Sequence, residues 1–242
     1  MDGMDQPTDD PPITRNCAQG DTSLRLCIDF DDDTTLAGDG SSRGHDPALA
    51  AGLTMMTRDT ELAVQMSSSS RLQIAEHADF DIASDLTISM WVKNEARPTS
   101  GAYWMLDNNN QYAMSLQSDG QVRCGLGADT VDSVASLDDS WHHVACTYDG
   151  NRLKVYIDGW VAGCRTLARP IAITGTEGLA IGSNIGSTAG VLTFTGNYVG
   201  GLDNVQVFAR TWSDQELCAA NGSAWCNSAC PVQLSSGGRG DH

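Results

Sequence analysis

Leu24, Leu26, Ile28 and Phe30 alternate with Arg25, Cys27, Asp29 and Asp31, and Leu86, Ile88, Met90 and Val92 alternate with Thr87, Ser89, Trp91 and Lys93. A period of two marks a strand with one buried face. Residues 112–117, 121–126, 131–137, 141–148, 152–158, 160–167, 178–183 and 198–208 read as further strands. Turn residues such as Asp119, Gly120, Asp149, Gly150 and Asn151 separate them. Ten or so short strands at this spacing predict an all-β chain built as a two-sheet sandwich or a barrel. One short helix is expected near the end. Ser213 and Glu216 stand at capping-box spacing, and Asn221 and Gly222 supply a stop.

Residues 1–16 carry no apolar periodicity and read as a disordered acidic linker, and residues 231–242 as a flexible Ser/Gly tail. The tail holds Arg239, Gly240 and Asp241, an integrin-type tripeptide that also arises by chance. No internal repeat is evident, so residues 17–230 are taken as one domain.

Charge narrows the partners. With 31 Asp plus Glu against 14 Lys plus Arg, the net charge of −17 repels phosphate backbones and anionic headgroups, which argues against nucleic acid and membrane surfaces. Eight cysteines, an even number, point to an oxidising compartment. No apolar run reaches the roughly 20 residues that span a bilayer, so membrane insertion is not expected. The first twelve residues are acidic and proline-containing, unlike a signal peptide; an exported protein is here without its leader.

Four segments in order resemble laminin G-like and pentraxin-like domains of the concanavalin A-like lectin/glucanase superfamily. They are residues 85–92 around Trp91, 141–150 beginning at Trp141, 153–159 ending at Gly159, and 201–208 around Asp203. The segment 213–217 resembles the short helix that follows the last strand there. The resemblance implies an antiparallel jelly-roll sandwich with first and last strands adjacent. The chain is expected to be monomeric as a domain and, with its cysteines, to sit in an extracellular, cell-surface or periplasmic location. The resemblance would bring Cys17 and Cys27 near Cys218, Cys226 and Cys230, where a staple would tie down both ends. Cys124 and Cys146 share inward parity with their apolar neighbours and are either core thiols or bonded to each other.

Related domains often hold a structural Ca²⁺ at the seam of first and last strands. Read by alternation, Asp203 shares the buried parity of Val205 and Val207, with no cation nearby in sequence, and a lone buried carboxylate costs several kcal/mol. The carried-over ligands are Asp31 and Asp203, with loop carbonyls near Gly44 and His45. The second, pentraxin-like calcium cluster is matched at Asp107 and Asn108, but its acidic run is replaced by residues 183–187, which hold no carboxylate. Direct recognition is then assigned to Tyr103, Trp104, Asp107, Asn108, Asn109 and Asn110, with Asn184, Asn197 and Tyr198 in neighbouring loops. Aromatic faces stack on sugar rings while amides and carboxylates hold hydroxyls.

His142 and His143 are adjacent in a strand, project to opposite faces and cannot chelate one ion together. Asp29, Asp31 and Asp33 alternate like glucanase acids but end a strand beside a turn, where solvation would keep them ionised, and the glutamates of the glucanase motif are missing. There is no nucleophile turn of the Gly-x-Ser-x-Gly kind. The expected function is therefore non-catalytic binding of a glycan or glycoconjugate. The alternative is an adhesion module that presents its loops to an extracellular protein.

Overall fold

A computed structural model describes residues 17, 20–31, 36–223, 226–227 and 229–230. The expected linker, the tail with its tripeptide, and Asp32 and Asp33 lie outside the described residues. In chain order the strands are β1 (Leu24–Ile28), β2 (Pro47–Ala51), β3 (Thr54–Arg58), β4 (Glu61–Met66), β5 (Arg71–Ile74), β6 (Leu86–Asn94), β7 (Ala102–Asp107), β8 (Ala113–Gln117), β9 (Gln121–Leu126), β10 (Asp129–Ser136), β11 (Trp141–Tyr148), β12 (Arg152–Ile157), β13 (Trp160–Thr166), β14 (Leu179–Ile181), β15 (Asn184–Thr188), β16 (Val191–Thr195) and β17 (Gly200–Phe208). A 3-10 turn, Ala78–Phe80, precedes β6, and helix α1, Asp214–Ala220, follows β17. Among the described residues no helix is long and apolar enough to cross a membrane.

Two antiparallel sheets make the sandwich. One runs β13-β12-β11-β6-β17-β4-β3, with β1 also paired to β17; the other runs β10-β9-β8-β7-β14-β5-β2, and β15-β16 form a separate hairpin. The first and last strands are adjacent, as the jelly-roll resemblance implied, with Leu24 opposite Phe208 and Ile28 opposite Val205. Inward residues of both sheets, among them Leu26, Ile88, Val92, Leu116, Val144 and Val207, fill one continuous core. A smaller cluster on the far side of the first sheet packs Phe208, Trp212 and Leu217 against Ala145 and Tyr156, which seats α1 on that face. The helix begins as its capping box dictates, with Ser213 accepting from the Glu216 backbone and Glu216 reaching back to Ser213.

Two sequence expectations are corrected. Alternation read straight along β17 puts Asp203 on the core face, but Asn204 adopts a left-handed backbone (φ 49°) and the register shifts between Asp203 and Gln206. This bulge inserts an extra residue and flips the phase. Leu202 and Val205 face the core, whereas Asp203 pairs with Trp91 and Gln206 with Ser89 on the opposite face. The terminal cysteines also pair differently: Cys17 with Cys27, Cys218 with Cys226, and Cys164 with Cys230, so no bond joins the two ends to each other. Cys124 and Cys146 are bonded, joining β9 of one sheet to β11 of the other.

Candidate functional site

The outward face of the first sheet carries a row that runs across three strands. Asp203 on β17 stands opposite Trp91 on β6, and Trp91 opposite His143 on β11. The next row places Gln206, Ser89 and Ala145 side by side. At one end α1 and Trp212 cover the sheet; at the other the β3-β4 hairpin folds Arg58 over it. Between them lies a cavity of about 570 Å³, within the range of small-molecule pockets. Trp91, His143, Asn204, Gln206, Trp212 and Arg58 contribute to its walls.

Arg58 organises one wall. Its Nε donates to Asp203 Oδ2 at 2.6 Å, its guanidinium sits 4.6 Å from the Trp91 ring centroid, and it also pairs with Glu61. Asp203 is fully buried. Burial pushes its carboxyl up, to about 7, and Arg58 pulls it back down. At the other wall Arg210 bridges Asp21 (2.7 Å) and Glu216. Hydrogen bonding from Arg210 holds the Glu216 carboxyl below its ordinary value. The charges on the rim are thus largely paired. Behind the walls, His143 Nδ1, Asn204 Oδ1 and Trp212 Nε1 are buried without a hydrogen-bond partner.

His143 donates or accepts through Nε2 with Ser89 Oγ at 2.8 Å. Burial lowers its pKa to about 4, with Arg58 pushing the same way and Asp158 opposing. The imidazole is neutral in the folded protein across the physiological range. In the unfolded chain it takes a proton below about 6.5. The native state therefore loses stability as pH falls from about 6.5 towards 4, by roughly 3 kcal/mol over the window. His143→Gln keeps a partner for Ser89 and cannot titrate there. Urea unfolding at pH 7 and pH 4.5 should show a smaller acid loss in this variant than in the wild type; equal losses would remove His143 as the cause.

The two acids expected as calcium ligands are already engaged by protein donors. Asp203 holds Arg58 through one oxygen and the Asn204 backbone N–H through the other (2.7 Å). Asp31 accepts from the Leu62 backbone N–H at 3.2 Å. His45 instead approaches Asp79, beyond Gly44, whose left-handed φ of 71° turns the loop. A guanidinium stands where the resemblance called for a divalent ion, so the arrangement around Asp203 does not fit calcium. Nor are the strand-end acids solvated as expected: Asp29 is buried, and burial followed by the charges of Asp29 and Glu61 raises the pKa of Asp31.

The predicted ligand loops divide in two. Trp104 lies part-exposed on the outward face of the second sheet, in a row with Ser115, Arg123 and Asp132, and lines a small hollow of about 50 Å³ with Asp107. Asp107 accepts from Ile185 N (3.0 Å) and Asn184 Nδ2 (3.1 Å), and burial lifts its carboxyl to about 6. Asn109 bonds Glu177, and Tyr103 packs partly against the core. The others serve the fold. Asn108 Nδ2 donates to the Phe80 carbonyl, Asn197 Nδ2 to that of Ser68, and the buried Tyr198 hydroxyl to Asn94. Sequence reasoning missed Arg58, Asn204 and Trp212. The signal available was the polar parity of Trp91, which did place an indole on an open sheet face.

The profile of a laminin G-like family, described as the concanavalin A-like lectin/glucanases superfamily, matches residues 66–218. The chain belongs to that superfamily. No protein with a curated description matches it in sequence. Among solved structures it is similar to the binding domain of Paraclostridial Mosquitocidal Protein 1, at 16% identity and a TM-score of 0.64 over 83% of this chain and 52% of that one. It is also similar to domain 4 of AbnA, an extracellular arabinanase of family GH43 from Geobacillus stearothermophilus, solved with arabinotriose (16% identity, TM-score 0.63, 82% of this chain and 98% of that one). A third is the binding domain of Botulinum neurotoxin DC, solved with rat synaptotagmin II (13% identity, TM-score 0.61, 83% and 51%). The chain spans about half the length of the two toxin domains. At these identities the likeness is one of fold.

Proposed function

We propose that this domain is a non-catalytic glycan-binding module of an exported protein and that it binds in the cavity on the outward face of the first sheet. The observation that carries the reading is that cavity: about 570 Å³, walled by Trp91 and Trp212, with the polar residues Asn204 and Gln206 among its lining. A neutral polyhydroxylated ligand both donates and accepts hydrogen bonds, which suits walls whose charges are already paired. The carboxylate of Glu216, held ionised by Arg210, is an acceptor for hydroxyls and a poor proton donor, which speaks against acid catalysis there. That AbnA domain 4 is solved with arabinotriose lends support from the same fold. Four disulfides suit export.

Asn204→Gly tests this with little risk to the fold, since glycine adopts the left-handed backbone without penalty. On a glycan array the wild type should bind, the Asn204→Gly variant should bind roughly tenfold more weakly or worse, and Trp104→Ala, on the other sheet, should bind as the wild type does. Binding that survives Asn204→Gly and is lost with Trp104→Ala would move the site to the second sheet. An array without hits would favour a protein partner, for which the exposed Val191 and Leu192 of the β15-β16 hairpin offer an apolar edge.

A further inference from the structure

The loop after β1 and the 3-10 turn after β5 bring together three side chains that the cavity does not use. His45 Nε2 lies 2.9 Å from Asp79 Oδ2, and His77 Nδ1 lies 3.6 Å from the same oxygen. One ligating atom from each of His45, His77 and Asp79 falls within 4.8 Å of the other two; among the described residues no other three His, Cys, Asp or Glu side chains are so grouped. The placement is held by local structure. The Asp79 backbone N–H donates to His77 Nδ1 at 3.1 Å, which fixes both side chains on one side of the turn and engages the Nδ1 lone pair, so an ion bound at that nitrogen takes the place of the N–H. The His45 ring packs on Phe80 at 4.9 Å and on His77 at 4.6 Å. The remaining described histidines are committed elsewhere: His142 spans Asp158 and Asp138 through its two opposite nitrogens, and His143 is buried on Ser89. No thiol competes, because the cysteines are disulfide-bonded.

We propose that His45, His77 and Asp79 form a site for a divalent transition ion of the zinc class. Two imidazoles and one carboxylate match the nitrogen-rich ligand sets that such ions take, whereas calcium prefers oxygen alone. The side chain of His77 is half-exposed, so an ion can reach the group from solvent. One cation already attends the carboxylate: Arg43 Nη1 lies 3.3 and 3.4 Å from the two Asp79 oxygens. Those contacts are long, and Arg43 also donates to the Leu24 and Thr22 carbonyls, so it keeps partners when an ion takes the carboxylate. An ion held here ties the loop after β1 to the turn before β6 and stabilises the folded state by mass action.

Calorimetric titration of the metal-free, disulfide-intact full chain with Zn²⁺ tests the site, with Co²⁺ as a visible-absorption probe. The expected result is one saturable equivalent, a tetrahedral-type Co²⁺ band and a higher melting temperature with Zn²⁺. His77→Ala removes the side-chain cap of the Ala78–Phe80 turn, so it should lower the metal-free melting temperature by a few degrees at most, and it should weaken Zn²⁺ binding at least about tenfold, the scale seen on loss of even outer-shell partners. His142→Ala should bind as the wild type does. The assignment is overturned by the absence of saturable binding, by binding that survives both His77→Ala and Asp79→Asn, or by Ca²⁺ competing equally for the site.

Discussion

Arg58→Met should lower the stability of the domain by roughly 3–5 kcal/mol, the cost of stranding one partner of a buried ion pair. For a domain of this size that is about 6–20 °C in melting temperature. Methionine covers Trp91 nearly as well but leaves the fully buried Asp203 carboxylate without the donor now 2.6 Å away, and the charges left near it, Asp31 and Glu61, have its own sign. The carboxyl will then hold its proton to still higher pH. A group whose folded-state pKa lies above the unfolded value of about 3.9 favours the native state at low pH, and that advantage is lost as pH rises. The Arg58→Met defect should therefore be smaller at pH 5 than at pH 8. Asp203→Asn should cost less, about 1–3 kcal/mol: the amide oxygen still accepts from Arg58 and the guanidinium keeps Glu61, but the amide NH₂ cannot accept the Asn204 N–H. Thermal unfolding followed by circular dichroism measures all of this. Added calcium should leave the wild-type transition where it is. A rise that Asp203→Asn abolishes would put the ion, not Arg58, beside the carboxylate.

Replacing Cys124 and Cys146 together by alanine should cost about 3–5 kcal/mol. The bond closes a loop with a sequence separation of 22 and links β9 to β11 across the sandwich, with both sulfurs in the core. In the chain-entropy account that loop alone is worth about 3 kcal/mol. Loss of two packed sulfurs adds to it. The Cys218–Cys226 bond closes a separation of 8 at the end of α1, away from the main core, so its removal should cost less. Denaturant midpoints of the two double variants, compared at equal slope, decide the order. A Cys124/Cys146 variant within experimental error of the wild type would show that the two sheets are held without the bond.

Much of the fold could be read in the chain because burial writes a period of two into strands with one dry face. The alternation of Leu86 to Val92, the inward parity of Leu26, Ile28, Cys124 and Cys146, and the spacing of Ser213 and Glu216 correspond to the structure, whereas a register shift between Leu24 and Leu26 turns Leu24 to the far side with Phe208. Strands without that alternation escaped. Residues 47–51 and 54–58 lie largely exposed at the sheet edges, so no dry face imposes a pattern on them. The site was less legible for two reasons. A bulge changes the phase of a strand without changing its composition, and only the tolerance of Asn204 for left-handed backbone hinted at one. The partner of Asp203 comes from 145 residues away, a contact that local reading cannot supply. Conversely Asn108, Asn197 and Tyr198 looked like ligand contacts because they are polar and near turns. Their hydrogen-bonding capacity goes instead to carbonyls and an amide inside the loops.

The face on which the ligand sits is best settled by indole N–H resonances during titration with the strongest array glycan. Binding in the cavity moves the signals of Trp91 and Trp212 and leaves Trp104 in place. A shift of Trp104 with Trp91 and Trp212 unmoved would contradict it.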